Sequence, residues 1–327
     1  MTKDHVLAVL AAAPGEYVSG EDLAARLGVS RTAVWKAVEQ LRSEGYPIES
    51  VPRRGHRLSP RGDVLSEEGI RRYLRSPDVR LQVLPTVTST NTLLKQMAAE
   101  DAPAGTALAA GEQTAGRGRL GRSFYSPAGT GLYMSLLLRP DLAVPDAALY
   151  TTCAAVCAAE AIEELAGVSP DVKWVNDLYL GGRKICGILT EAGMDCESGR
   201  VSYVIIGIGI NTRIPEGDFP EDIRDMAGAV FGDDPVPDLR NRLAAGILDR
   251  LMARAAAPDS DEIFEAYRRR SLAPGRPVLV LTPGQDPVPA EAVCLERDYA
   301  LRVRLESGEE RLLRSGEISI RFRAEES

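Results

Sequence analysis

A segment near the middle of the chain, GEQTAGRGRLGR at residues 111–122, alternates glycines with arginines. So many glycines disfavour the interior of a helix or strand, so we expect a loop. The glycines that would let its backbone approach a ligand are Gly116, Gly118 and Gly121. The arginines, planar cations suited to carboxylates and phosphates, are Arg117, Arg119 and Arg122. The segment predicts an anion-binding loop that is mobile without ligand.

The same glycines match the dinucleotide fingerprint G-x-G-x-x-G, which requires an apolar strand before it and a helix after it. Here the polar residues GEQTA precede the glycines, and a turn leads to the strand-like run Leu132–Leu138. This context does not fit a Rossmann fold. A solvated basic turn remains the alternative to an anion-binding loop.

The N-terminal part carries the pattern of a winged helix-turn-helix. A helical pattern covers residues 4–13, Ser19 and Ser30 are expected N-caps of two further helices, and Gly28 lies in the turn between them. Two short β-like pieces follow on either side of a basic turn at residues 52–55, which we interpret as the wing. Residues 59–66 then contain Pro60 and Gly62 and predict a linker.

Charge in this part suggests a nucleic-acid surface. Residues 28–62 contain seven Lys or Arg against three Asp or Glu, although the whole chain has a net charge of −8. In a winged helix-turn-helix the third helix enters the major groove and the wing reaches phosphates or the minor groove. The residues expected to face DNA are Ser30, Arg31, Thr32, Trp35, Lys36, Arg53, Arg54 and Arg57. Protein docking is the alternative role of such a domain.

Elsewhere the pattern predicts a mixed α/β domain and a small β domain. A strand leads into Ser89, Thr90 and Asn91, which we expect to cap a helix. A long apolar-striped helix is predicted over residues 146–166, and a buried strand over residues 201–212. After Gly275, the strand-like runs PVLVL, AEAVCLE, ALRVRLE and EISIRF predict a β-barrel of about 50 residues.

Gly181-Gly182 predicts a two-residue hairpin turn. That turn sets Leu180 opposite Arg183, Tyr179 opposite Lys184, and Asp177 opposite Cys186. Asp177 and Lys184 then share a face as diagonal neighbours, with Cβ atoms about 7–8 Å apart. An ordinary cross-strand salt bridge is the alternative to a reactive pair. Strict alternation excludes Asn176 from that face unless the strand bulges or ends there.

Cysteine content and hydropathy limit the cellular compartment that can be expected for this protein. Five cysteines without paired spacing argue for a reducing compartment, so we expect a cytoplasmic protein. Cys153 and Cys157 lie in an Ala-rich helical pattern without a nearby His, which favours core residues over metal ligands. No apolar run approaches the roughly 18 residues of a membrane span, and the N-terminus does not resemble a signal peptide, so no membrane partner is expected.

Loop arginines and a lysine that faces an aspartate suit the joining of a carboxylic acid to a nucleotide phosphate. Both reactants are anionic, so catalysis consists mainly of positioning and charge neutralisation, normally with Mg²⁺ on the phosphates. Neither His5 nor His56 lies in the central domain, which argues against a Ser-His-Asp triad. A Walker A lysine is absent as well.

Together these motifs resemble the family of bifunctional biotin-protein ligases and biotin operon repressors. The matching segments are Ser89-Thr90-Asn91, Gln113 with GRGRLGR, KWVNDLY from Lys173, RKICGIL from Arg183, and GIGIN ending at Asn211. The resemblance covers nearly the whole chain and implies an α+β, multidomain protein. Its parts would be a winged helix-turn-helix at residues 1–62, a central mixed α/β ligase domain of class II synthetase type at 66–272, and an SH3-like β-barrel at 275–327.

The resemblance implies an activity and its partners. Biotin and ATP would form biotinyl-5'-AMP, and biotin would then pass to a lysine of the biotin carboxyl carrier domain of acetyl-CoA carboxylase. Mg²⁺ would enter with the ATP phosphates rather than at a protein-only metal site. Loaded with biotinyl-AMP, the protein would form a homodimer that binds a palindromic operator as a repressor.

Residue roles follow from the same resemblance. The implied biotin-binding residues are Ser89, Thr90, Asn91, Gln113, Gly116, Arg117, Lys184 and Gly187. Those implied for ATP or the adenylate are Arg117, Arg119, Arg122, Asn176 and Asn211. The implied catalytic residues are Lys184, which would bridge the biotin carboxylate and the α-phosphate, Arg119, and Asp177, which would orient the acceptor lysine.

Two departures from the family pattern stand out. Phe124 occupies a position where members usually carry Trp. Some repressor members cover the adenine with a Trp from the loop after GIGIN, but no Trp follows Trp174 here, and Phe219 and Phe231 are the candidate substitutes. Two other functions stay open. One is a lipoate-protein ligase of the same catalytic fold, and the other is a biotin-responsive DNA-binding regulator with weak ligase activity.

Overall fold

A computed structural model describes residues 2–12, 15–43, 46–59, 63–141, 148–195, 199–232, 236–282, 284–314 and 319–322. Contacts divide the chain into two compact units. The first is Met1–Leu74 with Asp233–Ala245, and the second is Arg75–Gly232 with Gly246–Ser327. The three domain ranges expected from the sequence stay predictions, and residues 60–62 of the expected linker lie outside the described residues.

The first unit begins with a helix-turn-helix and a two-stranded wing, as predicted. Its elements are α1 (Thr2–Ala12), α2 (Gly20–Leu27), α3 (Arg31–Ser43), β1 (Ile48–Val51) and β2 (Gly55–Leu58). The Ser19 hydroxyl accepts a hydrogen bond from Asp22 N at 3.0 Å, and that of Ser30 accepts from Ala33 N at 3.2 Å, so both predicted caps are confirmed. Residue 13, the predicted end of α1, is not described.

An apolar stripe from each helix packs into one core in this unit, with side chains that include Leu10, Leu23, Val34 and Leu41. The unit also contains α4 (Glu67–Arg71) and the start of α7 (Leu239–Arg254). There Asp63 accepts hydrogen bonds from both the backbone and the side chain of Arg240. Burial of an ion pair carries a desolvation cost in free energy, and the two hydrogen bonds from Arg240 to Asp63 offset part of that cost.

A seven-stranded mixed sheet forms the centre of the second unit. Its strands are β3 (Arg80–Val87), β4 (Thr106–Gln113), β5 (Gly131–Leu138), β6 (Asp171–Lys173), β7 (Asp177–Leu180), β8 (Arg183–Met194) and β9 (Val201–Asn211). The spatial order is β3-β4-β5-β9-β8-β7-β6. Among the described strands of this sheet, only the neighbours β3 and β4 run parallel, and helix α5 (Thr90–Ala99) forms the crossover that a parallel pair requires. The predicted mixed α/β domain is confirmed.

Helices α6 (Leu149–Ala166) and α8 (Asp261–Arg270) also belong to this unit. Residues 146–147 of the predicted long helix lie outside the described residues. Cys153 and Cys157 are buried on α6, as predicted for core residues. Under the sheet, Leu94 of α5 packs against Leu108 and Leu137 of β4 and β5, which fixes the start of α5 beside the end of β4.

The C-terminal part is a five-stranded antiparallel sheet, made of β10 (Pro277–Leu281), β11 (Val288–Leu295), β12 (Leu301–Leu305), β13 (Glu310–Leu313) and β14 (Ser319–Phe322). Its order is β13-β12-β11-β10-β14. The sequence predicted four strands and missed β13, because ERLL is short and its first three residues are exposed. Closure into an SH3-like barrel stays a prediction.

Candidate active site

A cavity of about 870 Å³ lies in the second unit. It collects side chains from the start of α5, the end of β4, the glycine-rich loop and strands β7 to β9. Every residue assigned to biotin, ATP or catalysis from the sequence borders it, apart from Phe231, one of the two candidate adenine covers. Segments far apart in the chain therefore meet at one place, and the roles of the individual residues stay proposals.

The glycine-rich segment is a compact loop. Arg117 and Ser123 form an isolated antiparallel bridge, and a single 3₁₀ turn spans Arg119–Gly121. No helix of a dinucleotide-binding motif follows the glycines, in agreement with the sequence context. A Cβ on Gly116 would lie 2.3 Å from Phe124 O, so the fold of the loop itself requires glycine there.

The β7–β8 hairpin is bulged. Gly181 and Gly182 both have positive φ, and the pairs Leu180 with Arg183 and Tyr179 with Lys184 form as predicted. Beyond them the register shifts, so that Cys186 pairs with Leu178, and Asp177 pairs with Gly187. The predicted pairing of Asp177 with Cys186 is therefore wrong. One extra residue on β8 shifts the register by one position.

Asp177 and Lys184 converge despite the shift, as expected for diagonal neighbours. Nζ of Lys184 lies 2.8 Å from Oδ1 of Asp177, and both side chains are at least two-thirds shielded from solvent. Among the described residues, none donates a hydrogen bond of good geometry to this oxygen. The contact is thus a close charge pair in which the Lys184 ammonium protons are available to acceptors other than Asp177 Oδ1.

Asn176 joins the same site because β7 starts only at Asp177, which leaves Asn176 in the preceding turn. Its side-chain oxygen accepts a hydrogen bond from Arg119 Nη1 at 2.9 Å. Its amide nitrogen donates to Ile188 O at 2.9 Å. Burial lowers the pKa of Arg119 from its usual value, and the charge of Asp177 opposes that shift.

Two buried side chains hold this turn in place. Trp174 Nε1 donates to Tyr299 O at 2.9 Å, and the Tyr267 hydroxyl donates to Val175 O at 3.1 Å. The Tyr267 and Tyr299 rings also make an edge contact, with centroids 5.3 Å apart. Close by, burial and Asp177 raise the pKa of Tyr179 to about 12, so its hydroxyl remains protonated at neutral pH.

A chain of polar contacts lines the other end of the cavity. Thr90 N donates to the Gln113 side-chain oxygen at 2.9 Å, and Gln113 Nε2 donates to Ser126 Oγ at 3.0 Å. Ser89 accepts from Thr92 N at 3.5 Å, which confirms it as the cap of α5. Thr90 and Asn91, also expected to cap, are instead the first residues of the helix. Asn91 is 4% exposed, and Ser135 Oγ donates to its side-chain oxygen at 2.6 Å.

Sequence reasoning missed Ser126, Ser135 and Glu191. Glu191 accepts hydrogen bonds from Arg117 and Asn91. The only available signal was an acidic residue inside a strand of mostly apolar and small residues. Among the described residues, no group of three His, Cys, Asp or Glu side chains is arranged for a metal.

Of the two candidate adenine covers, Phe219 lines the cavity and is 3% exposed. Phe231 does not border it. Phe124, which stands where the family usually has Trp, packs its ring against the paired glycines Gly187 and Gly209. A Cβ at Gly209 would lie 2.6 Å from that ring.

The residues predicted to face DNA at the start of α3 and in the wing are exposed in the first unit, except Arg57, which is half-buried. Trp35 is 57% exposed. The Arg54 guanidinium lies 4.3 Å from the Tyr17 ring centroid. Arg57 is different, because two of its nitrogens donate to Glu49 Oε2 at 3.0 and 2.7 Å.

Comparison with known proteins agrees with both parts of this description. Residues 83–211 match the Biotin/lipoate A/B protein ligase family, and residues 2–57 match an HTH domain. The chain is 42% identical over 227 residues to the bifunctional ligase/repressor BirA of Bacillus subtilis (strain 168), which covers 69% of each chain. The chain belongs to the bifunctional ligase/repressor BirA family.

Other members and solved structures support this assignment. BirA of Escherichia coli (strain K12) is 34% identical over 262 residues, which is 80% of this chain and 77% of that protein. The structure of a biotin protein ligase from Aquifex aeolicus in complex with biotin and ATP superposes with a TM-score of 0.61 at 28% identity. That match covers 75% of this chain and 99% of the Aquifex chain. No helix in the described part of the chain is long and apolar enough to cross a membrane.

Proposed function

We propose that this chain condenses biotin with ATP to biotinyl-5'-AMP and transfers biotin to a lysine of the biotin carboxyl carrier domain of acetyl-CoA carboxylase. The observation that carries this proposal is the Lys184–Asp177 charge pair on the wall of a cavity of about 870 Å³. Cavities of roughly 300–1,000 Å³ are typical of small-molecule sites. Free cysteines such as Cys153 suit a cytoplasmic setting.

In the first step a biotin carboxylate oxygen attacks the α-phosphorus of ATP, and pyrophosphate leaves. Two anions approach each other, so stabilisation of their charge is the main requirement. Lys184 is the cation proposed to lie between the carboxylate and the α-phosphate. Arg119, held by Asn176, and Arg122 would neutralise the phosphates, and Asn211 would contact the nucleotide.

The biotin end of the cavity would lie where Ser89, Thr90, Gln113 and Gly116 meet. A ureido ring offers one carbonyl acceptor and two N–H donors, which hydroxyl, amide and backbone groups can satisfy. Asn91 is proposed to hold this end of the cavity in place as well as to contact the ligand, because both ends of its side-chain amide are bonded to protein groups.

Mg²⁺ supplies charge neutralisation on the ATP phosphates when it is bound. The cavity lining includes the carboxylate of Asp177, and a single protein carboxylate of this kind fits an ion that would be held mainly by phosphate and water oxygens.

In the second step the acceptor amine attacks the carbonyl carbon of biotinyl-AMP. An amide bond forms, the bond to the phosphate oxygen breaks, AMP leaves, and the amine loses a proton. Asp177 is proposed to orient this amine, since its Oδ1 is shielded and lacks a hydrogen-bond donor among the described residues. The glycine-rich loop would close over the adenylate and exclude water.

The first unit is proposed to bind operator DNA when biotinyl-AMP drives homodimerisation. Exposure of Arg31, Trp35 and Lys36 at the start of α3, and of Arg53 and Arg54 in the wing, supports this role. A C2 dimer would match a palindromic operator. Biotinyl-AMP would then regulate transcription and serve as the ligase intermediate.

The first experiment is intact-mass analysis of a carrier-domain acceptor incubated with this protein, Mg-ATP and biotin. A biotin-sized mass gain that is lost in Lys184→Ala supports the ligase. No gain with biotin, together with retained biotin binding, would favour a regulator with weak ligase activity. A gain with lipoate alone would assign the chain to lipoate-protein ligases.

A further inference from the structure

Glu191 joins the glycine-rich loop to the floor of the cavity. Its Oε1 and Oε2 atoms accept from one guanidinium nitrogen, Nη1 of Arg117, at 3.0 and 3.2 Å. Oε2 also accepts from Asn91 Nδ2 at 2.9 Å. The Glu191 side chain is 19% exposed and that of Arg117 is 46% exposed. A largely shielded carboxylate thus ties a loop arginine to a buried amide.

Asn91 makes this anchor rigid. Besides Glu191, its amide nitrogen donates to Leu189 O at 3.1 Å, and its side-chain oxygen accepts from Ser135 Oγ at 2.6 Å. The same oxygen packs closely against the backbone at Gly207. Because both ends of the amide are bonded, Asn91 presents its N–H to Glu191 in one orientation.

Arg117, the cation of this ion pair, belongs to the part of the glycine-rich loop that borders the cavity. Arg117 directly follows Gly116, whose carbonyl accepts from Phe124 N at 2.9 Å. An arginine side chain loses much rotamer freedom when it is fixed, and a glycine-rich backbone loses more than most. An ion pair formed before ligand arrives reduces the ordering that biotin would otherwise have to impose.

We propose that Glu191 is a positioning residue for biotin capture, which acts by holding Arg117 and the adjoining Gly116 backbone in place. This inference rests on the proposed ligase function. A carboxylate beside an anionic ligand is unfavourable by itself, so its benefit must come through Arg117. Loss of the Glu191 charge should raise the biotin KM about five- to ten-fold and speed escape of biotinyl-AMP. The ATP KM should rise less than the biotin KM, and the single-turnover transfer rate at saturating biotinyl-AMP should not change.

Glu191→Gln tests this directly, because glutamine keeps the size and an acceptor for Asn91 but removes the charge that holds Arg117. The variants Arg117→Gln and Glu191→Gln/Arg117→Gln complete a double-mutant cycle. If the two residues act as a pair, the double variant is no worse than the more affected single variant. Glu163→Gln is the matched control, since it breaks an Arg–carboxylate pair with Arg270 outside the cavity.

Steady-state KM values for biotin and ATP, adenylate release, and thermal unfolding are measured for each variant. A biotin KM within about two-fold of wild type, or equal rises for biotin and ATP, overturns the proposal. Should Glu191→Gln unfold, Glu191→Asp takes its place, as the shorter side chain loses reach to Arg117. If the wild type does not label the acceptor, the ligase function fails, and calorimetric biotin binding by the same variants still decides the role of Glu191.

Discussion

Lys184 and Asp177 face each other across a bulged hairpin, with Nζ and Oδ1 2.8 Å apart but not aligned as a hydrogen bond. A partly exposed ion pair contributes little to stability. What this arrangement provides is an ammonium whose protons are available to ligand oxygens, and a shielded carboxylate beside it. The two groups can therefore act in different steps of a reaction.

We predict that Lys184→Ala lowers the rate of adenylation by about 10²- to 10³-fold, because it removes a cation from the point where two anions react. Asp177→Asn should slow transfer from preformed biotinyl-AMP more than it slows pyrophosphate release. Pyrophosphate release and single-turnover transfer measure the two steps separately. Equal losses in both steps for Asp177→Asn would contradict a role in acceptor orientation.

The hairpin shows where sequence reasoning succeeds and where it ends. Gly181-Gly182 specified the turn, since positive φ at both positions is a local requirement. The bulge lies beside contacts from a distant segment. Lys184 N donates to Met226 O at 2.7 Å, and Gly228 N donates to Lys184 O at 2.8 Å. The segment from Met226 to Gly228 thus bonds to the β8 backbone beside the turn, and no pattern in the sequence of the hairpin predicts this contact.

Gly207→Ala should weaken biotin binding by about ten-fold or more, because the new Cβ would lie 2.1 Å from Asn91 Oδ1. Asn91 would have to move, and its bonds to Ser135 and Glu191 would be disturbed. Overpacking of this kind also costs about 1–3 kcal/mol of stability. Calorimetric biotin titration and thermal unfolding measure the two effects. Gly232→Ala is the control, since nothing lies within 4 Å of its Cβ position, and an equal effect there would refute the steric argument.

Tyr267→Phe should lower the free energy of unfolding by about 1–3 kcal/mol, because the buried Val175 carbonyl loses the hydroxyl that bonds to it. The turn that carries Asn176 and leads into Asp177 should loosen, so the ATP KM should rise while the biotin KM changes little. Denaturant unfolding and steady-state kinetics check both expectations. A loss of stability without any change in the ATP KM would limit Tyr267 to a structural role.

Contacts near in sequence were predictable, and contacts between distant segments were not. Ser19, Ser30 and Ser89 were identified as caps because a cap bond closes within three residues. By contrast, the bond from Trp174 to Tyr299 O and the pair of Arg117 with Glu191 join segments that share no motif. The family motifs identified residues that border the cavity, but not distant partners such as Tyr299 and Glu191 that hydrogen-bond to those residues.

The stability of the first unit should fall as the pH drops below about 6.5, the usual pKa of histidine. Burial lowers the pKa of His56, and the charge of Arg42 acts in the same direction while that of Glu39 opposes it. Arg42 donates to Ser50 Oγ at 2.7 Å, so the hydroxyl can donate to neutral His56 Nδ1, 2.5 Å away. With a folded-state pKa below the unfolded value, the stabilisation is present above that unfolded pKa and is lost as the pH falls.

Calorimetric unfolding of the full chain at about pH 7.5 and about pH 5.5 tests this expectation. The transition assigned to the first unit should move to lower temperature at the acidic pH. His56→Gln should reduce the difference. An unchanged pH dependence in that variant would show that other groups cause it.

Arg54 and Arg57 of the wing should differ in DNA binding, although both guanidinium groups lie over the Tyr17 ring. Arg57 is already paired with Glu49, whereas Arg54 is exposed at the turn. If Arg54 contacts a phosphate, Arg54→Ala should reduce the slope of log affinity against log salt by about one. Arg57→Ala should leave that slope unchanged, because an arginine neutralised within the protein releases no counterion from DNA. Binding isotherms at several salt concentrations measure both slopes. Equal reductions would mean that Arg57 exchanges Glu49 for phosphate when DNA binds.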